Sequence, residues 1–465
     1  MGWGTKGSSG FLRNLPIESR NSCLACSVVS LHCARSLWGM SLAKVPISNK
    51  IQEAVEMTFG SLDRARVGSG NCLSRRISAL CAGDGSLGMQ LGAFARRIVS
   101  PAVCLVALHV FGAKADYARP SPSEGKTRIA IVGLDHDHVW GLLKYLEAEA
   151  DAELVAIAEP HPALVKEAKS RVQSSVRFYS AYVPMLDEVK PDAVIVTTSN
   201  DRHLEILREC AKRHIHYSVE KPMATNAAAA REMEKLASQA GIKLMVNYWN
   251  AWVAPSHELF HRVRDGQVGA VQKIIVQYGH AGPREIGVSE YFADWLYDPV
   301  KNGGGAIMDF GCYGAEWALW LKGRPKGVQA IAQNLKVSQH NKVDDDATIL
   351  LEYPDATVIV EASWDWPHSM GQVQVFGPKG SLLATGNTLF YRPAEDRGKS
   401  GLEGEPVALS APQGATSNPV AYFVDCIRHD KTIEDPLSAQ LNVQVLEILD
   451  AARESVRTGH AQELR

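Results

Sequence analysis

The chain has 465 residues, 46% of them hydrophobic and 22% charged, with 49 Lys and Arg against 51 Asp and Glu for a formal net charge of −2. That length has room for two or three domains, and the composition excludes a collagenous or intrinsically disordered protein. The even charge balance excludes the concentrated Lys and Arg excess that neutralising nucleic-acid phosphates requires.

The averages conceal two unlike parts. Six of the nine cysteines (Cys23, Cys26, Cys33, Cys72, Cys81 and Cys104) fall in the first quarter of the chain. Residues 1–88 carry 10 basic side chains against 5 acidic, whereas residues 119–465 carry 36 against 45. From Met1 to Gly88 no apolar periodicity lasts long enough for a helix or strand, so this segment reads as unstructured chain or as an upstream extension. Cys23, Cys26, Cys33 and His32 supply one half of a zinc site without a second pair at finger or ribbon spacing. Residues 89–115 read as a secretory signal: Arg96-Arg97, the uncharged run Ile98–Ala113, then the small-x-small step Ala113-Lys114-Ala115. Export is expected if translation starts near Met89, and a cytoplasmic location otherwise. A Pro/Ser/Gly-rich linker at 116–126 follows.

Beyond the linker, β-branched runs alternate with amphipathic stretches. The runs 128–133, 153–159, 192–198, 216–220 and 242–248 are near-continuously apolar, as strands covered on both faces are. Helical patterns over 139–150, 162–172, 201–214 and 226–240 separate them. This order predicts an α/β fold: a doubly wound parallel sheet of the Rossmann type over residues 127–248, with a second domain over 249–465. Ligands of such sheets bind at the carboxyl ends of the strands.

The first turn, Gly133-Leu134-Asp135-His136-Asp137-His138, keeps only the first glycine of G-x-G-x-x-G. Gly133, Leu134, Asp135 and His138 are where a dinucleotide's diphosphate is expected, though a carboxylate at Asp135 repels it unless turned away or offset by a histidine. Glu159 ends the second run, 26 residues after Gly133, where an acid bonds the adenosine ribose hydroxyls. Repulsion of a 2′-phosphate there favours NAD over NADP. Asp135, His136, Asp137 and His138 are also metal-ligand types, but neighbouring residues in a turn point different ways, and the expectation is that no metal is bound.

Three further segments carry a resemblance: Thr198-Ser199-Asn200-Asp201-Arg202-His203, Glu220-Lys221-Pro222, and Gly303-Gly304-Gly305 running on to Asp309-Phe310-Gly311-Cys312-Tyr313. From about Thr127 to the C-terminus the chain resembles the Gfo/Idh/MocA oxidoreductases, which include glucose–fructose oxidoreductase and inositol dehydrogenase. The resemblance implies a second domain built on a large, mostly antiparallel sheet, an NAD(P) cofactor, a sugar or cyclitol substrate, and a homodimer or homotetramer. It implies that Thr198, Asn200, His203, Glu220, Lys221 and Pro222 help to hold the cofactor. It makes Lys221 the lysine bonded to the reacting hydroxyl, Asp309 its acidic neighbour, and Tyr313 the residue where many members have His. Glu316 stands where an aspartate is common.

The chemistry asks for such groups on its own account. Oxidising an alcohol by hydride transfer also removes the hydroxyl proton, so an acid/base group must sit beside the carbon. Tyrosine is a poor base at its ordinary pKa, and an ammonium close by would favour its phenolate. Trp249, Trp252, Trp295, Trp364 and Trp366 fall near the expected domain junction, and His280 and Arg284 are of types that contact polyol hydroxyls. Three functions compete: a sugar or polyol oxidoreductase, an NAD-retaining glycoside hydrolase of the same family, and a sugar-binding relative without cofactor.

Overall fold

Runs of apolar residues that bury both faces need helices above and below, and the chain supplies them in order. In the computed structural model, residues 125–464 are described, apart from 337–341, 397, 399–400 and 402–403. The cysteine-rich segment 1–88, the signal-like stretch 89–115 and nearly all of the linker lie outside the described residues.

The first domain runs β1 (Thr127–Val132), α1 (Val139–Ala148), β2 (Ala152–Ala158), α2 (Pro162–Lys169), β3 (Arg177–Tyr179), α3 (Tyr182–Val189), β4 (Ala193–Val196), α4 (His203–Lys212), β5 (His216–Glu220), α5 (Ala227–Ala240) and β6 (Leu244–Asn247). All six strands are parallel, in the order β3-β2-β1-β4-β5-β6. The sheet therefore reverses direction between β1 and β4, the crevice where doubly wound folds bind ligands. The sequence predicts five strands here. The extra strand β3 is three residues long and only partly covered, and α3 carries Pro184 in its first turn, so neither leaves a periodic signature.

The second domain begins with α6 (Ala254–Arg264), β7 (Lys273–Gly279), α7 (Glu290–Leu296), α8 (Ala306–Asp309) and α9 (Gly311–Lys322). Strands β8 (Gly327–Gln333), β9 (Asp346–Glu352), β10 (Thr357–Ser363), β11 (Met370–Gly377), β12 (Gly380–Thr385), β13 (Thr388–Pro393) and β14 (Glu405–Pro406) follow, then α10 (Pro419–Arg428), α11 (Ala439–Thr458) and β15 (Gln462–Glu463). Nine strands form one sheet, β14-β13-β12-β11-β7-β10-β9-β8-β15, antiparallel except for the central β7–β10 pair. Its strands alternate as half-buried strands should. Val328, Ala330, Ile349, Leu351, Val358 and Val360 are buried, while Ile331 (64% exposed) and Leu350 (40%) lie in the open. Gly314 lets α9 lie close on the covered face, because a Cβ there would come within 2.1 Å of Val360 Cγ1.

The last segment returns to the first domain. Val246 N–H donates to Leu437 O at 3.0 Å, Met245 bridges Ser438, and α11 packs along α5. Asp450 on α11 accepts the Ala227 N–H in the first turn of α5 at 2.9 Å. Among the described residues no helix is long and apolar enough to cross a membrane.

Candidate active site

Gly133 opens the turn after β1 with φ +85, where a Cβ would lie 2.3 Å from Thr198 Cγ2 and 2.9 Å from Thr197 O. Only glycine fits both the dihedral and the space. Thr197 Oγ1 donates to Gly133 O at 2.7 Å, fastening the ends of β1 and β4 together. Glu159, 2% exposed, lies just past β2. Its Oε2 accepts the Leu134 N–H at 2.6 Å, and its Oε1 accepts the His161 N–H and faces His161 Nδ1. Beside it a hollow of about 510 Å³ is lined by Pro160, Phe178, Tyr179 and Ser180.

The rest of the turn is occupied from the second domain. Trp295 Nε1 donates to Asp135 O at 3.1 Å, and Ser289 N–H donates to Asp137 Oδ2 at 2.7 Å. His136 is buried against Phe292, ring centroids 4.2 Å apart, with Trp295 at 5.6 Å. Helix α7 and its N-cap thus cover the turn where the sequence places a diphosphate. Burial first, and the charge of Glu159 second, push the Asp135 carboxyl up to about 6.

At the ends of β4 and β5 the predicted residues converge. Asn200 Nδ2 donates to Asn302 Oδ1 at 2.8 Å, while Asn200 Oδ1 is buried without a hydrogen-bond partner. His203 is fully buried, its ring nitrogens each 3.2 Å from a carbonyl, Met223 O and Thr198 O. It braces the two turns. Lys221, joined to Pro222 by a cis peptide, is buried and donates to both the Asp309 carboxylate and the Asp309 carbonyl, the latter at 3.1 Å. Asp309 Oδ2 accepts from Trp364 Nε1 at 2.9 Å. Burial opposes both charges, but each partner outweighs it for the other, so the Lys221 pKa is raised and the Asp309 pKa lowered. Lysine is ammonium and aspartate carboxylate.

Tyr313 departs from expectation. The Lys221 ammonium lies over its ring, 5.1 Å from the centroid, instead of at the hydroxyl. The ring stacks on Tyr278 at 4.8 Å and meets Tyr248 edge-on at 5.4 Å. Burial drives its pKa well above 10, so Tyr313 is a neutral phenol and not the phenolate that a neighbouring ammonium was expected to favour. His280, packed on Phe310 at 5.0 Å, accepts the Gly282 N–H on Nδ1 at 2.9 Å, which leaves its proton on Nε2. Burial holds it neutral, its pKa lowered below 6.5 despite Asp309 nearby.

Asn247 and Asn250 are not singled out by the sequence, and the partners of Trp249, Trp252 and Glu316 are not legible there. Glu220 Oε1 accepts from Asn247 at 2.7 Å, and Asn247 in turn accepts from Trp252 at 2.8 Å. Glu220 Oε2 lies 2.9 Å from His138 Nδ1, which takes the Trp249 Nε1–H at 2.7 Å. Nothing in the spacing signals these partners, although the Trp residues were noted as a group. Glu316, fully buried, is bonded among the described residues only by Asn250, at 3.0 and 3.2 Å. Burial raises its pKa well above 4.5, so the folded chain keeps a proton that the unfolded chain releases. The stability tied to that proton is complete below about pH 4.5 and is lost as pH rises towards the folded pKa. Glu316→Gln is therefore expected to match the parent in acid and exceed it in unfolding midpoint in mild alkali; equal midpoints at both would show the carboxyl to be ionised.

Comparison with known proteins adds the following. Residues 127–248 match a family model described as "Oxidoreductase family, NAD-binding Rossmann fold", and residues 257–383 match the GFO/IDH/MocA C-terminal domain. D-xylose 1-dehydrogenase (NADP(+)) 2 of Haloferax volcanii is 26% identical over 291 residues, 62% of this chain and 84% of that protein. Inositol 2-dehydrogenase of Rhizobium meliloti is 24% identical over 246 residues, 52% of this chain and 70% of that one. The crystal structure of aldose-aldose oxidoreductase from Caulobacter crescentus, complexed with glycerol, shares the fold at TM-score 0.62 and 23% identity, covering 73% of this chain and 100% of that one.

Proposed function

Because the chain belongs to the Gfo/Idh/MocA family of NAD(P)-dependent oxidoreductases, we propose that it interconverts a CH–OH group and a carbonyl on a sugar, cyclitol or related polyol. The observation that carries this reading is the buried Lys221–Asp309 pair at the carboxyl end of β5.

The residues fit a dinucleotide at its adenosine end: the hollow beside Glu159, the Gly133 turn, and the orphan acceptor Asn200 Oδ1. At the diphosphate end the turn is covered by α7. When bound, the nicotinamide supplies or accepts hydride. Everything else falls to the chain. Lys221 carries its proton at rest, so it is set to donate a hydrogen bond to a carbonyl oxygen and to pass the proton from Nζ as that oxygen becomes alkoxide. Asp309, fixed by Trp364, holds Nζ in place. Oxidation is the same step reversed and starts from Lys221 without its proton. Neutral Tyr313 and the Nε2–H of His280 act as hydrogen-bond donors rather than bases.

Glu159 supports a preference for NAD, since a buried carboxylate repels a 2′-phosphate. Glu159→Ser is expected to narrow the ratio of kcat/KM for NAD over NADP; a parent enzyme that already prefers NADP would overturn this. The open sheet face bearing Ile331 and Leu350 supports a homodimer or homotetramer joined there, and a monomer by light scattering would refute it. The α7 cover over the turn favours a second reading, a sugar-binding relative without cofactor. Mass spectrometry of small molecules released from the purified protein decides: recovered NAD(H) or NADP(H) removes the second reading, and their absence even after incubation with both removes the first.

A further inference from the structure

The expectation that no metal is bound rested on neighbouring side chains in a turn pointing apart. His136 and His138 are two apart and do not diverge: their ring centroids are 4.4 Å apart. Glu220, from the end of β5, joins them, and one donor atom from each of the three lies within 4.8 Å of the others. We propose that His136, His138 and Glu220 form a site for a divalent transition-metal cation.

The donor set is two imidazoles and a carboxylate, the hard-to-borderline mixture that zinc, iron(II) and cobalt(II) take, and three protein ligands leave a coordination position open. Glu220 and His136 are each 1% exposed, and a buried carboxylate is held only where a positive charge or donors answer it. Asn247 answers Oε1. Oε2 faces His138 Nδ1 at 2.9 Å, yet that nitrogen already takes the Trp249 indole N–H at 2.7 Å. An indole only donates, so two lone-pair atoms are left facing each other with nothing positive between them. A cation that takes the Nδ1 lone pair in place of the indole N–H resolves the contact. Ligands sit about 3–3.5 Å from one another around a metal–ligand bond of about 2.1 Å, and His138 with Glu220, at 2.9 Å, already lies just inside that separation.

The surroundings are those of a built site. Asn247 orients Glu220 and is itself oriented by Trp252, the kind of outer bonding that fixes ligand geometry. Phe292 and Trp295 shield His136 from water. The turn also bears Asp135 and Asp137, so a bound cation lessens the negative charge where a diphosphate would approach. The site needs nothing from the hydride reading and can be tested without turnover.

Full-length protein is stripped with chelator, kept reduced and titrated with cobalt(II) alone. One ion more per chain is expected in the parent than in His138→Gln, with the visible absorption of nitrogen and oxygen ligation and no thiolate charge-transfer band. Taking the difference removes any cobalt held by Cys23, Cys26 or Cys33. Cobalt is also expected to raise the unfolding midpoint of the parent and not of the variant. His138 is partly exposed, and glutamine in its place still offers an amide N–H to the buried Glu220 carboxylate. Should that variant not fold, Glu220→Gln, which keeps shape, provides the same comparison. Equal stoichiometry and spectra in parent and folded variant, or no cobalt bound by the parent, would overturn the site.

Discussion

Lys221→Met is expected to lower kcat by about 10²–10⁴, the range of a lost acid/base group, while the binding of NAD(H) changes little. The same substitution is expected to destabilise the protein, since Asp309 would be left as a buried carboxylate without its ammonium. Breaking a buried pair from one side costs about 3–5 kcal/mol. Adding Asp309→Asn removes the stranded charge and keeps a hydrogen-bond acceptor for Trp364, so the double variant should regain most of the stability and none of the turnover. Denaturant midpoints and single-turnover hydride transfer separate the two effects. A Lys221→Met enzyme within tenfold of parent turnover would move proton delivery to His280.

Gly133→Ala is the second substitution expected to act strongly. A non-glycine residue in the left-handed region costs about 1–2 kcal/mol, and forcing a methyl against packed neighbours adds about 1–3 kcal/mol. Here the obstacle includes the Thr197 carbonyl at 2.9 Å as well as the Thr198 methyl at 2.3 Å, and backbone yields less readily than a side chain. The turn would move away from β4, taking Leu134 N–H from Glu159. Loss of both stability and dinucleotide retention is expected. An alanine variant with the parent's urea midpoint would mean that the turn has another conformation available.

Much of the first domain was readable because strands buried on both faces are written as unbroken apolar runs; 216–220 coincides with β5 to the residue. Strand β3 was not, since Arg177-Phe178-Tyr179 is too short and too exposed to show a period. At the site, Lys221 and Asp309 were paired across 88 residues by resemblance, and the structure brings them together. Whether an ammonium meets a tyrosine at its hydroxyl or over its face is a matter of ångströms, which no spacing encodes; hence the different state of Tyr313. The H-x-H step at 136–138 was visible, but its third partner is 82 residues beyond His138, and only the fold closes that gap.

The strand pairing between Val246 and Leu437 bears on how the protein is made. Synthesis runs from the N-terminus, and domains ordinarily fold in that order as they emerge. Here the sixth strand of the first sheet waits for a segment nearly 200 positions later, and the helix beside it waits for Asp450. For most of translation the nascent sheet carries an unpaired edge of the kind other chains can add to. A ribosome stalled just before residue 437 would release a chain whose nucleotide-binding domain, complete in its own sequence, still lacks its closing border.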